Sequence, residues 1–184
     1  VLAELAARDA PFVGVLFAGL MLTPDGPRVL EYNCRFGDPE TQSLLPLLRG
    51  DLGRALAAAA SGDLGGVELE QRPGAAVTIV LAGGEYPARG DHGSPITGIE
   101  AAEALGAYVF HAGTALADGA IVTDGGRVLG VTAVGPDLPT ARERAYAAAD
   151  LVGWPGARRR EDIAAAAAAG GGAVDVAAGS SLRA

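Results

Sequence analysis

Three short apolar runs, at residues 108–117, 120–123 and 127–134, are joined only by Asp118-Gly119 and Asp124-Gly125-Gly126. Connections this short exclude parallel crossovers, which need about a dozen residues or more. They admit antiparallel hairpins, because glycine supplies the positive φ of a primed turn at little cost. An earlier run at residues 75–82 adds a strand, and a glycine- and proline-bearing loop is expected over 83–98. Ala141, Ala145 and Ala148 share one face of a helix expected over 140–151. The back half therefore reads as a small α/β domain with a hairpin meander.

The front half has a different texture. Residues 1–9 read as the end of a helix that Pro11 terminates, and 12–22 as a buried strand. The turn composition of 24–27 joins this strand to a second one over 28–35, giving a hairpin. Asp38-Pro39-Glu40-Thr41 reads as a helix start, with Asp38 at the cap and Pro39 at the first helical position. Helical spacing runs through Leu44, Leu45 and Leu48 and again over Leu52, Leu56 and Ala59. A polar, glycine-rich join over 62–74 is the expected boundary, dividing a first domain at 1–62 from a second at 75–163. Residues 164–184 carry too little apolar surface to offset their ordering entropy and are expected to form a disordered tail.

Composition narrows the function. The formal net charge of −8 argues against nucleic acid as a partner. All 14 basic residues are arginine, so no Schiff base, lysine general base or phosphate-loop lysine is available within the 184 residues. The single cysteine, Cys34, excludes an intramolecular disulfide framework. No apolar run reaches the roughly 18 residues of a membrane span, and the first residues lack the pattern of a signal peptide. A cytoplasmic globular chain without a membrane partner is expected.

The chemistry concentrates at Val29-Leu30-Glu31-Tyr32-Asn33-Cys34-Arg35-Phe36-Gly37-Asp38-Pro39-Glu40. On a strand, Glu31, Asn33 and Arg35 line one face about 7 Å apart, and Leu30, Tyr32 and Cys34 line the other. Two oxygen donors at i and i+2 suit Mg²⁺, which completes its shell with water and phosphate oxygens, and a fixed guanidinium beside them suits phosphate or carboxylate. A solvent-facing strand edge with Glu31 paired to Arg35 fits the same pattern. Alternation points Cys34 to the apolar face, where a buried cysteine and not a nucleophile is expected. His92 and His111 lack partners for a zinc site, and His111 is expected to be hydrogen-bonded and structural. Gly83-Gly84 reads as a turn, and the run Arg158–Arg160 as solvated charge.

The string Asn33-Cys34-Arg35-Phe36-Gly37-Asp38-Pro39-Glu40-Thr41-Gln42 closely resembles the phosphoribosylamine–glycine ligase family (glycinamide ribonucleotide synthetase) of the ATP-grasp superfamily. The resemblance extends through residues 14–22, 77–87 (Tyr86-Pro87 in particular), 96–98, 109–114 and 125–132, ending near Asp162-Ile163. It implies an α+β fold: the end of an ATP-grasp domain of antiparallel strands and helices, then a small α/β C-terminal domain. It also implies condensation of glycine with 5-phosphoribosylamine in purine biosynthesis, with ATP as co-substrate and glycyl phosphate as intermediate. By match to the family string, Glu31 and Asn33 would ligate Mg²⁺ or Mn²⁺. Arg35 would stabilise the acyl phosphate as a catalytic and substrate-binding residue. Gly37 and Asp38 would position the small substrates, with Asp38 also counted as catalytic. In the family, the glycine-rich lid and the lysines on the nucleotide precede this stretch. The resemblance therefore implies a C-terminal portion that is inactive without the missing N-terminal portion as its partner. A non-catalytic remnant binding an anion or a partner through Glu31 and Arg35, or another ATP-grasp ligase, are the competing expectations.

Overall fold

The computed structural model describes residues 1–170. Two compact units are present, and the chain passes between them more than once. Among the described residues, the first holds Val1–Asp38 and Leu48–Gln71, and the second holds Pro39–Leu47 and residues 72–170.

In the first unit, helix α1 (Leu2–Ala7) precedes a hairpin of strands β1 (Phe17–Thr23) and β2 (Gly26–Asn33). Pro24 and Asp25 form the turn, and Thr23 pairs with Gly26, whose φ of +100° only glycine adopts without strain. The ladder is irregular at Gly19/Leu20: Glu31 pairs with Gly19 but Val29 with Leu20, so Leu30 is the extra residue of a bulge. The apolar face expected of this hairpin is exposed, with Leu30 64% and Tyr32 43% accessible. Strands β3 (Leu48–Arg49) and β4 (Glu70–Gln71) form a short second ladder. Between them lies helix α3 (Leu52–Ser61), capped by Asp51 accepting from the Arg54 amide at 2.8 Å and closed by Gly62 in the left-handed region.

The second unit contains the hydrophobic core. Its first piece is a short helix, α2 (Glu40–Leu44), followed by a 3-10 turn at Leu45–Leu47 where Pro46 interrupts the helix expected from the leucine spacing. Strand β5 (Ala75–Ala82) pairs with β10 (Arg127–Gly135), which pairs in turn with β7 (Tyr108–His111), all antiparallel. A second three-stranded sheet joins β6 (Asp91–Pro95), β9 (Ala120–Gly125) and β8 (Thr114–Ala117). The two-residue turn Asp118-Gly119 closes β8 onto β9 with both residues at positive φ, as its composition predicts. The other expected hairpin does not form, because β9 and β10 lie in different sheets with Gly126 between them. The expected 83–98 loop likewise contains β6, and helix α4 (Ile99–Ala104) was not legible.

Helix α5 (Leu138–Ala149) packs on the three-stranded sheet through Ala141, Ala145 and Ala148, each fully buried. Its small side chains bring the helix close to Val77, Ile79, Leu129 and Val131. Each Val, Leu or Ile buried this way contributes roughly 1.5–3 kcal/mol. Asp137 caps the helix by accepting from the Thr140 amide at 2.8 Å. A last short helix, α6, spans Ala165–Ala168. The expected tail runs beyond residue 170 and lies outside the described residues from there on.

Candidate functional site

The hairpin presents the acid and the amide of the string together. Asn33 pairs across the ladder with Phe17, and Glu31 with Gly19. Asn33 Nδ2 donates to Glu31 Oε1 at 2.8 Å, so both side chains emerge on one side of β2, as strand alternation requires. Gly19 leaves the space: a Cβ there would stand 3.1 Å from Glu31 Cγ. Glu31 is exposed and Asn33 half-buried. A carboxylate and an amide carbonyl are hard oxygen donors of the kind a divalent cation takes, although in this structure it is the amide nitrogen of Asn33, and not its oxygen, that meets Glu31. Among the described residues, no group of three or more His, Cys, Asp or Glu is arranged to hold a metal. A cation at Glu31 and Asn33 would therefore draw most of its ligands from solvent and substrate, the coordination habit of Mg²⁺.

The strand ends at Asn33 and not at residue 35. Two expectations change in consequence. Cys34 leaves the ladder, escapes the alternation that would have buried it, and is exposed. Arg35 also leaves the strand face, and its Nη1 donates to the Phe36 carbonyl at 2.8 Å. The Glu31–Arg35 ion pair is absent: Glu31 is held by Asn33, and no carboxylate among the described residues pairs with Arg35. Its charge remains available to an anion. Gly37 is buried and Asp38 exposed. Helix α2 begins at Glu40 with Pro39 at its N-cap, so Asp38 is not the capping residue expected from sequence.

In the second unit, Ser43 Oγ of α2 lies 2.6 Å from Thr78 Oγ1 of β5, which lies 2.7 Å from Thr132 Oγ1 of β10. Thr132 is fully buried and Thr78 nearly so. These three residues were not singled out from sequence, although each threonine interrupts an otherwise apolar strand run, a pattern that calls for a hydrogen-bonded partner.

The histidines lie apart. His92 Nδ1 contacts Asp124 Oδ1 at 2.8 Å, and His111 Nδ1 contacts Thr114 Oγ1 at 3.0 Å. The arginine run is only partly solvated. Arg159 is 19% exposed, pairs with Asp150 and with Glu161 (3.0 Å), and lies over the Tyr146 ring. Burial opposes its charge, but the hydrogen bonds it donates to Asp150 and Glu161 more than offset this and raise its pKa. Arg158 Nη1 donates to the Gly84 carbonyl at 2.6 Å, while Arg160 pairs with Asp162 at the surface. These arginines fasten the segment after α5; Arg159 and Arg160 are paired with carboxylates, and Arg158 is held by a backbone carbonyl.

Two family descriptions match the chain: the ATP-grasp (A) domain of phosphoribosylglycinamide synthetase over residues 1–41, and its C domain over residues 76–166. The chain belongs to the phosphoribosylglycinamide synthetase family. It is 54% identical over 150 residues to a phosphoribosylamine–glycine ligase of Agrobacterium fabrum, covering 80% of this chain and 35% of the relative. It is 50% identical over 161 residues to that of Streptomyces coelicolor, covering 85% and 39%. The crystal structure of phosphoribosylamine–glycine ligase from Thermotoga maritima aligns with a TM-score of 0.68 at 39% identity, covering 80% of this chain and 36% of that one. The chain thus spans about a third of the length of these relatives. The fold is the end of an ATP-grasp domain followed by the family's C-terminal domain. Among the described residues no helix is long and apolar enough to cross a membrane.

Proposed function

We propose that this chain is a portion of a phosphoribosylamine–glycine ligase, which joins glycine to 5-phosphoribosylamine and converts ATP to ADP and phosphate in the cytoplasm. Residues 1–62 act as the end of its ATP-grasp domain and residues 75–163 as its C-terminal domain. The observation that carries this reading is the Asn33–Glu31 pair, followed at once by an Arg35 that no carboxylate among the described residues neutralises.

Glu31 and Asn33 would hold a Mg²⁺ or Mn²⁺ ion, which when bound neutralises phosphate charge. Arg35 places a fixed guanidinium where a phosphorylated carboxylate develops negative charge, so its stabilisation grows toward the transition state. The Phe36 carbonyl anchors Arg35 through one hydrogen bond and leaves its other donors to face the substrate. Gly37 brings main chain near the small substrates without a side chain in the way. Asp38, acidic and exposed, would orient the amine partner. The nucleotide lysines and lid are supplied from the portion of the ligase that precedes this stretch, and residues 1–184 alone are inactive.

The test is ADP release by the gene product that contains this chain, with glycine and phosphoribosylamine both present. ADP dependent on both substrates, and lost in Glu31→Ala, supports the reading. Activity indifferent to glycine, or unchanged in Glu31→Ala, overturns it.

A further inference from the structure

We propose that residues 158–164 form a strap that opens as one piece and gates the cleft beside Ile163, with the Tyr146 hydroxyl as its latch and Ala164 strained against that latch. Every residue involved lies in the second unit.

The strap follows the turn at the buried Trp154 and leads into α6. Its first residue, Arg158, exchanges two backbone hydrogen bonds of 2.8 Å with Ala82 at the end of β5. Farther along, Tyr146 of α5 donates its hydroxyl to the Arg160 carbonyl at 2.8 Å and accepts from the Ile163 amide at 3.0 Å. Arg142, one turn earlier on α5, donates to the Glu161 carbonyl at 2.8 Å and to the Ile163 carbonyl at 2.9 Å. Tyr146 thus grips 160 and 163 while Arg142 grips 161 and 163, an interleaving that couples their release. The ion pairs divide differently. Arg160–Asp162 and Arg159–Glu161 lie within the strap and survive its opening, whereas Arg159–Asp150 breaks. Ile163 and Ala164 also pack against the edge of the core.

One residue opposes this closure. Ala164 has a φ of +57° and a ψ of 11°, in the left-handed region that an alanine methyl disfavours. The other non-glycine residues at positive φ, among the described ones, are Asp9 and Asp118, and aspartate tolerates that region through its short polar side chain. Such strain persists only where the surroundings impose it, and here the bonds to Ile163 do so. Ile163 and Ala164 form one wall of a cleft of about 210 Å³, whose other walls include Glu40, Ser43, Val77 and Leu138. Opening the strap removes that wall and uncovers Val77, which is 3% exposed in the closed form.

The test is amide hydrogen exchange on the 184-residue chain, with thiol alkylation as a second readout; neither depends on the ligase reading. The amides of Ala82, Arg158 and Ile163 are expected to share one protection factor, lower than that of the β10 amides, although Ala82 belongs to β5. Tyr146→Phe keeps the ring and removes the latch, and should speed all three roughly tenfold, the loss of about one net hydrogen bond, while β10 keeps its rates. Ala164→Gly relieves the strain and should slow all three roughly fivefold. With Cys34→Ser removing the exposed thiol, iodoacetamide should modify Val77→Cys roughly tenfold faster once Tyr146→Phe is added. Should Val77→Cys not fold, Ala76→Cys, lining the same cleft, replaces it. An Ala82 amide that ignores Tyr146→Phe overturns the single-piece opening, and Ala164→Gly with unchanged or faster exchange overturns the opposing strain. Faster exchange with unaltered alkylation overturns the gate, because the strap would then open without uncovering the cleft.

Discussion

The amide of Asn33 donates to the carboxylate of Glu31 two strand positions away, at 2.8 Å, across a gap that Gly19 leaves open on the neighbouring strand. An acid held in this way has its orientation fixed before any cation arrives. Replacing Asn33 with alanine removes one oxygen donor and frees Glu31 to rotate. In the complete ligase, Asn33→Ala is expected to raise the Mg²⁺ concentration for half-maximal rate on the order of a hundredfold, the upper end of what loss of an orienting partner costs. A metal titration of the rate reads it directly, and an unchanged midpoint would remove Asn33 from the metal site.

Arg35 separates the metal role from the charge role. Its guanidinium is anchored by the Phe36 carbonyl and paired with no carboxylate among the described residues, so it should act on developing phosphoryl charge and not on folding. Arg35→Lys keeps the charge but loses the planar fork, and is expected to cost roughly 10²–10³ in kcat with little change in melting temperature. Equal kcat in the two proteins would return Arg35 to the status of a surface residue.

The parts of this fold that were legible are those set by local chemistry. Asp118-Gly119 specified a two-residue hairpin, and Ala141, Ala145 and Ala148 specified the buried face of α5. The illegible parts depend on partners distant in sequence. Nothing local distinguishes the Gly125-Gly126 junction as a crossing between sheets from a hairpin turn. Strand alternation correctly brought Glu31 and Asn33 together, then overreached by two residues, because where a ladder stops depends on the opposing strand and β1 begins only at Phe17. That is why Cys34 was expected inside and lies outside. The two hydrogen bonds of the hydroxyl row Ser43, Thr78 and Thr132 span 35 and 54 residues, and no periodicity reports such distances.

Burial predicts a sharp contrast in stability. Ile79 is fully buried on β5, whereas Leu30 is 64% exposed at the hairpin bulge. Ile79→Ala is expected to cost about 2–5 kcal/mol, through lost transfer energy and the cavity left behind. Leu30→Ser in the same 184-residue chain should fall within about 0.5 kcal/mol of wild type, as surface substitutions do. Urea unfolding followed by the single tryptophan, Trp154 in the core of the second unit, measures the first, and far-ultraviolet circular dichroism of the whole chain measures the second.

Gly98 stands where no side chain fits. Its φ is +83°, and a Cβ would stand far inside van der Waals contact with the backbone oxygen of Leu151. Neither atom belongs to a flexible side chain, so the main chain itself would have to move. Gly98→Ala is expected to destabilise the second unit by more than about 1 kcal/mol, the cost of the backbone conformation alone. The same substitution at Gly93 has a comparable φ of +83° and open space around it. It should therefore be the milder of the two, and equal midpoints in urea would show that the close approach at Leu151 relaxes freely.

Asp137 gives the fold a pH dependence of known sign. Thr140, through its hydroxyl and its amide, holds the Asp137 carboxyl below the usual carboxylate range. A carboxylate whose folded pKa lies below its unfolded value binds fewer protons in the folded state. It contributes stability above the unfolded pKa, about 3.9, and loses that contribution as pH falls through the lower folded value. Asp137→Asn keeps a capping oxygen but cannot titrate. The melting temperature of wild type should therefore exceed that of Asp137→Asn at pH 7, and the gap should narrow below about pH 4. Melting curves of both proteins between pH 7 and pH 3 test this, and a gap that stays constant with pH would mean that Thr140 does not favour the ionised cap.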